Sequence, residues 1–206
     1  GGLDSSTVAY WAKKHNYKIY PLTFNYGQIA EKETHYAQKI AETIGVNTKI
    51  INLSSLKEIF SQVTSLCNTE IPLSQNFSSP IIVPFRNAIF LSTAVAYAVT
   101  VFADEILYGA QGSDEPFYPD CRREFYEAFE KAACLGTNQK MTIKAPFIYS
   151  KKSELIKEGA NLGVPFELTW SCYRNGPIHC GRCESCLNRM AAFREARVKD
   201  PTQYEI

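Results

Sequence analysis

The chain has no surplus of charge: 22 Lys and Arg stand against 21 Asp and Glu, a formal net charge of +1. That balance argues against binding duplex nucleic acid across one broad face, because phosphate contacts need a concentrated excess of cations. No apolar run approaches the ~18 residues that cross a bilayer, and no charged leader with an apolar core heads the sequence. A soluble, cytoplasmic protein without a membrane partner is expected. The Gly-Lys-Ser/Thr string of a Walker loop is absent too, which disfavours kinase-type or GTPase-type phosphate binding. There is no internal repeat, and no low-complexity segment beyond a short Ser/Asn patch at 74–80. Seven cysteines are an odd set, so in a reducing compartment they read as thiols or metal ligands and not as a disulfide framework.

What is present suits one globular domain, or one domain with a small appendage. A chain of 206 residues that is 45% hydrophobic, with 12 Tyr and 12 Phe, can bury a full core.

The sequence opens on Gly1-Gly2-Leu3-Asp4-Ser5-Ser6-Thr7 and runs into Val8 to Lys14, which reads as an amphipathic helix. A glycine turn at a helix N-terminus gathers unpaired N–H groups and the positive end of the helix dipole at one point, where an anion binds. Asp4 is placed to hold Mg²⁺ beside bound phosphates. The competing reading is a capped turn in which Ser5, Ser6 or Thr7 satisfies the helix donors. A turn of this kind normally follows a strand; none precedes Gly1, so the first strand is expected to be missing from this chain.

Further along, strands are predicted at 17–24, 48–53, 105–108 and 141–146, with helices at 31–44, 56–66, 87–101, through Leu135, and from Ser150 to before Gly163. Ser150, Ser153 and Glu154 form a plausible cap for the last of these. The alternation predicts an α/β fold with a doubly wound parallel sheet and ligands at the carboxyl ends of the strands. Residues 87–101 are small and apolar nearly all round and predict a central buried helix. Arg86 at its entrance needs a partner or a ligand. The polar stretch 74–80 reads as an active-site flap, a partner surface or an ordinary insertion. Gly109 to Asp114, after a strand, is a second candidate site edge.

Near the end, Cys180, Cys183 and Cys186 stand at two consecutive Cys-x-x-Cys spacings, with Cys172 eight residues upstream. Four thiolates on one compact turn can close a structural tetrahedral Zn²⁺ site; three at this spacing also suit an iron–sulfur cluster. His179 is a substitute ligand in principle. Cys67 and Cys134 read as ordinary buried thiols.

Taken in order, Gly1 to Ser6, Asn25-Tyr26-Gly27-Gln28, Val83-Pro84-Phe85-Arg86-Asn87, Tyr118-Pro119-Asp120-Cys121-Arg122, Lys152-x-Glu154 and the four-cysteine knuckle resemble the 7-cyano-7-deazaguanine synthase family of the N-type ATP pyrophosphatases. The resemblance covers nearly the whole chain. It departs in two places: the opening loop lacks the serine that usually precedes it, and Phe117 stands where the family often carries glycine, which would reshape the substrate pocket. It implies conversion of 7-carboxy-7-deazaguanine and ammonia to the nitrile with two ATP, giving AMP and pyrophosphate. Gly1, Gly2, Leu3, Asp4, Ser5 and Ser6 would hold ATP and Mg²⁺, with Asp4, Lys152 and Arg86 catalytic. Arg86, Asn87, Asp114, Tyr118, Asp120 and Arg122 would meet the substrate, and Cys172, Cys180, Cys183 and Cys186 would hold Zn²⁺. The implied division is 1–165 for the nucleotide domain and 166–206 for the knuckle and C-terminal helix, packed on the same domain. A homodimer without direct nucleic-acid contact is implied as well.

Two alternatives keep parts of this. One is a tRNA thiolase or a specialised relative using another acceptor. The other is a zinc-ribbon nucleic-acid binder with a degenerate ATPase domain, for which Arg174, Arg182, Arg189, Arg194 and Arg197 would be the basic surface. Those arginines otherwise read as a solvated helix face or a subunit contact.

Overall fold

Strands and helices alternate along the chain: α1 (Leu3–Lys14), β1 (Leu22–Asn25), α2 (Lys32–Thr43), β2 (Lys49–Asn52), α3 (Lys57–Phe60), α4 (Arg86–Val101), β3 (Glu105–Leu107), α5 (Arg123–Thr137), β4 (Thr142–Lys144), α6 (Lys152–Asn161) and α7 (Glu184–Ala196). The structure, a computed structural model, describes residues 1–73, 75–76 and 79–205. The polar stretch 74–80 therefore lies partly outside the described residues.

The strands are parallel, as the alternation predicts. β1 pairs with β2, Leu22 opposite Lys49 and Asn25 opposite Asn52. β3 pairs with β4, Glu105 opposite Thr142 and Leu107 opposite Lys144. Among the described residues the strands form two hydrogen-bonded pairs in place of one continuous sheet. Leu22 and Phe24 of β1, Ile106 and Leu107 of β3, Val8 of α1 and Leu91 of α4 all line one cavity of about 510 Å³. Among the described residues no strand precedes α1.

Several predicted boundaries move for local reasons. α1 starts at Leu3, not near Val8, because Gly2 is extended (φ −74°, ψ 164°) and already serves as its N-cap. The first strand is shorter than predicted, beginning at Leu22, directly after Pro21, which has no N–H for a ladder. α4 is not buried all round: Ala88, Leu91, Val95 and Ala98 are covered along one stripe, while Ser92 and Ala96 are exposed. The cap of α6 is Lys151, whose N–H donates to Glu154 Oε2 at 2.8 Å, and not Ser150.

Among the described residues the apolar side chains gather in five clusters, three of which bear on the site. Leu3 and Val8 of α1 meet Leu155 and Ile156 of α6 and Phe193 of α7. α4, α5, β3 and β4 share a second cluster around Leu91, Ile106 and Met141. The cysteines form a third with Trp170 and Ala30. Because α1 belongs to the first cluster, its N-terminal turn is held at the rim of the cavity.

Candidate active site

The first turn of α1 supplies donors. Ser6 N–H bonds to Gly2 O at 3.1 Å, and the amides before it have no acceptor inside the helix. The hydroxyls leave those amides alone: Ser5 Oγ and Ser6 Oγ donate back to Gly2 O at 3.2 and 2.7 Å, and Thr7 Oγ1 to Leu3 O at 3.1 Å. The capped-turn reading therefore fails, and the turn keeps its capacity for an anion. Gly109, beyond β3, presses on this turn. A Cβ there would stand 2.9 Å from Ser5 N.

Two acids and a lysine converge on it. Lys152, at the start of α6, places Nζ 3.3 Å from Asp4 Oδ2. Burial works against the Lys152 ammonium, but Asp4 and Asp114 outweigh it and hold its pKa above the ordinary lysine value. Asp114 Oδ1 accepts from Gln111 Nε2 at 2.8 Å. Burial first, and then the charge of Asp4, push the Asp114 carboxyl up to about 7. Asp4 Oδ1 is buried without a hydrogen-bond partner among the described residues. An orphan carboxylate oxygen beside a second acid suits a hard divalent cation such as Mg²⁺.

Arg86 connects this centre to a second space. It follows Phe85, which is left-handed at φ 56°, and its Nη1 donates to Tyr26 Oη at 3.3 Å. Its guanidinium stacks over the Tyr26 and Phe90 rings, 5.8 and 5.9 Å from their centroids. Beyond it, Leu66, Ile81, Val83, Arg86, Tyr118, Asp120 and Tyr173 enclose a smaller cavity of about 90 Å³. Asp120 is partly committed to structure: its Oδ2 accepts from Asn87 N at 3.0 Å, and Asn87 Nδ2 donates to Asp120 O and Cys121 Sγ at 3.3 Å each. Arg122 donates Nε to Glu115 O at 3.2 Å and lines neither cavity. The Phe117 side chain, 45% exposed, lines neither cavity and leaves the pocket's shape alone.

The knuckle closes the site from the C-terminal side. The sulfurs of Cys172, Cys180, Cys183 and Cys186 are buried and lie within 4.8 Å of one another. Cys180 to Cys186 and Cys172 to Cys183 are 4.0 Å apart. A tetrahedral zinc with Zn–S of ~2.3 Å sets its sulfurs ~3.8 Å apart, so the donor set fits a tetrathiolate ion. Hydrogen bonds from Cys172 and then Cys186 drive the Cys183 thiol far down, while the protons they keep raise both partners. A bound cation would favour the thiolate form of its ligands. His179 is not a ligand: its Nε2 accepts from Ser171 N at 3.0 Å, and burial, with Arg189 second, lowers it to about 4, so it stays neutral.

Comparison with known proteins agrees with this geometry. The family model for queuosine biosynthesis protein QueC matches residues 1–197. The chain belongs to this family. It is 39% identical over its whole length to 7-cyano-7-deazaguanine synthase of Caldicellulosiruptor saccharolyticus, covering 93% of that protein. It is 41% identical to the enzyme of the same name from Thermoplasma acidophilum, covering 89% of it. In fold it resembles NMN synthetase from Francisella tularensis, with a TM-score of 0.54 at 15% identity, over 96% of this chain and 74% of that one.

Sequence reasoning gave no role to Gln111, which bonds Asp114, or to Tyr173, which lines the smaller cavity, and it misplaced Arg189. Arg189 is fully buried and donates to Thr169 Oγ1 at 2.8 Å, Ser171 Oγ at 3.1 Å and Phe166 O at 3.0 Å. It belongs to no solvated basic face. Cys134 is half-buried and not buried; its thiol donates to Met141 O at 3.3 Å.

Proposed function

We propose that the chain is an ATP-dependent 7-cyano-7-deazaguanine synthase of the AMP-forming, carbon–nitrogen ligase type. The observation that carries this reading is the Asp4–Lys152 pair at the donor-rich start of α1, opening through Arg86 into the Tyr118–Asp120–Tyr173 cavity.

Carboxylate oxygen is a poor leaving group. The acid oxygen of 7-carboxy-7-deazaguanine would attack the α-phosphorus of ATP, expelling pyrophosphate, and ammonia would then displace AMP to leave the amide. A second ATP would activate the amide oxygen in the same way. Loss of the two amide protons with AMP would leave the nitrile. One site performs the same activation twice, so its residues position and stabilise charge and supply no covalent nucleophile.

The loop from Gly1 to Ser6 would receive the departing pyrophosphate on the amides that precede Ser6, and Lys152 and Arg86 would face charge growing near the α-phosphate. Asp4, with Asp114 beside it, would hold Mg²⁺, which when bound neutralises phosphate charge. Asn87, Tyr118 and Asp120 would meet the deazaguanine. The four cysteines would hold a structural Zn²⁺. Residues 1–165 would form the nucleotide domain and 166–206 the knuckle. The chemistry calls for no nucleic-acid or membrane partner, and no described helix is long and apolar enough to cross a bilayer. A cytoplasmic homodimer is the working assembly, supported by exposed apolar side chains such as Phe102 and Leu135, 95% and 85% accessible.

Thiolation is the weaker reading. Cys121 borders the large cavity, but burial pushes its thiol up to about 12, so it is protonated and poorly nucleophilic. The deciding experiment is release of AMP and pyrophosphate with purified protein. Release that depends on both 7-carboxy-7-deazaguanine and ammonia supports the proposal; AMP formed without that acid, or only with tRNA, refutes it.

A further inference from the structure

The knuckle does more than close on an ion. Tyr173 follows Cys172, and Glu184 follows Cys183, so the same turn that gathers the sulfurs delivers both side chains. Tyr173 Oη donates to Glu184 Oε2 at 2.7 Å, and Asn188 Nδ2 donates to the other carboxylate oxygen. Glu184 is 9% exposed, in the first turn of α7, where the helix dipole favours its charge. The Tyr173 ring spans two clusters, touching the buried cysteines on one side and the cluster of Tyr26, Leu66 and Val83 on the other. From there it faces the small cavity with Arg86, Tyr118 and Asp120.

The chemistry of this pair is directional. A phenol has one proton, and here it is committed to a carboxylate. Only lone pairs remain for a further partner, and the charge-assisted bond makes that oxygen a stronger acceptor. An acceptor against an apolar wall of Leu66, Ile81 and Val83 selects a flat heterocycle that presents N–H groups along one edge.

We propose that Tyr173 is a specificity-determining residue that reads the N–H edge of the 7-deazaguanine ring, and that Glu184 is the positioning residue that orients it. This rests on the synthase reading above and extends it to which end of the site holds the base. The cysteine knuckle is thereby a wall of the substrate pocket as well as a structural tie.

The test compares 7-carboxy-7-deazaguanine with its analogue lacking the exocyclic amino group, using wild type, Tyr173→Phe and Glu184→Gln of the whole chain. Wild type should prefer the amino-bearing acid by about 100-fold in kcat/KM, since a buried acceptor left unpaired discriminates strongly. Tyr173→Phe should cut that preference about tenfold through KM for the acid. Its KM for ATP and its metal content should stay near wild type. Glu184→Gln should shift the preference in the same direction and by less. If wild type discriminates and both variants keep the full ratio, the assignment is overturned. It is equally overturned if Tyr173→Phe lowers metal content and kcat together, since that is a structural role. If wild type turns over neither acid, the synthase reading itself fails, a result distinct from either of these.

Discussion

Lys152 Nζ lies 3.3 Å from Asp4 Oδ2 although the two residues are 148 positions apart. The contact joins the first turns of α1 and α6, two helices that start at the same rim. It gives Asp4 one oxygen bound to a cation of the protein and leaves the other without a partner among the described residues. The lysine is thus held where pyrophosphate charge would develop, without closing the carboxylate to a metal.

Replacing Lys152 with Ala should therefore lower kcat for AMP release by about 10²–10³-fold, the scale of losing a preorganised charge-stabilising donor. Asp4→Asn should instead raise the Mg²⁺ concentration needed for half-maximal rate. Steady-state assays across a Mg²⁺ series separate the two; a Lys152→Ala enzyme within threefold of wild type would remove the lysine from the site.

Asp114 makes stability depend on pH. Its folded value of about 7 stands above the ~3.9 of an unfolded Asp, so the folded chain binds the extra proton between those limits. The resulting stabilisation is fully present below about pH 4 and is lost as pH rises through about 7. In ligand-free protein, Asp114→Asn should flatten the fall in urea-unfolding free energy between pH 4 and 7. Parallel curves for the two proteins would contradict the assignment.

Arg189 is fully buried and donates to three protein oxygens. Asp200 Oδ1 is its nearest acidic atom, 3.5 Å away. Arg189→Ala leaves those acceptors and Asp200 uncompensated and should cost about 3–5 kcal/mol, read from chemical unfolding. A loss below 1 kcal/mol would show that the network is dispensable.

Trp170 is a built-in reporter of the knuckle. It is 2% exposed, and its Nε1 donates to Cys172 O at 2.8 Å. Chelation, or Cys186→Ser, should release one zinc per chain and red-shift tryptophan emission as the indole meets water. Iron in place of zinc, with visible absorbance, would overturn the choice of metal.

Gly109→Ala would bring a methyl to 2.9 Å from Ser5 N. Overpacking of backbone on backbone should destabilise by about 1–3 kcal/mol and weaken ATP binding by calorimetry, leaving the knuckle's metal content unchanged.

The opening motif was legible because its chemistry is backbone chemistry: two glycines and a helix start are enough to specify donors. The knuckle was legible because four thiols at short spacing have few other uses. Arg189 was not, since arginines spaced along a polar helix look the same whether they meet water or, as here, the carbonyl and hydroxyls of 166–171. Tyr173 and Glu184 were hidden by the cysteines beside them. Arg122 was expected at the substrate, but it is the extended residue before α5 (φ −78°, ψ 154°), and that backbone lets it bond the carbonyl of Glu115. Strand lengths were overestimated because an apolar run such as 17–24 does not reveal which of its residues find a ladder partner.

The 148-residue span between Asp4 and Lys152 also bears on the order of folding. β1 with β2, and β3 with β4, join segments a few tens of residues apart, and such loops close at lower entropic cost than the longest ones. Both pairs join residues that precede α6 and α7 in the chain, so they can form before those helices are complete. The Asp4–Lys152 contact forms only when α6 docks on α1, and the side of the small cavity lined by Tyr173 only when the knuckle folds. A nascent chain would therefore pair its strands first and complete the apolar cluster under α1 only after α6 and α7 have emerged.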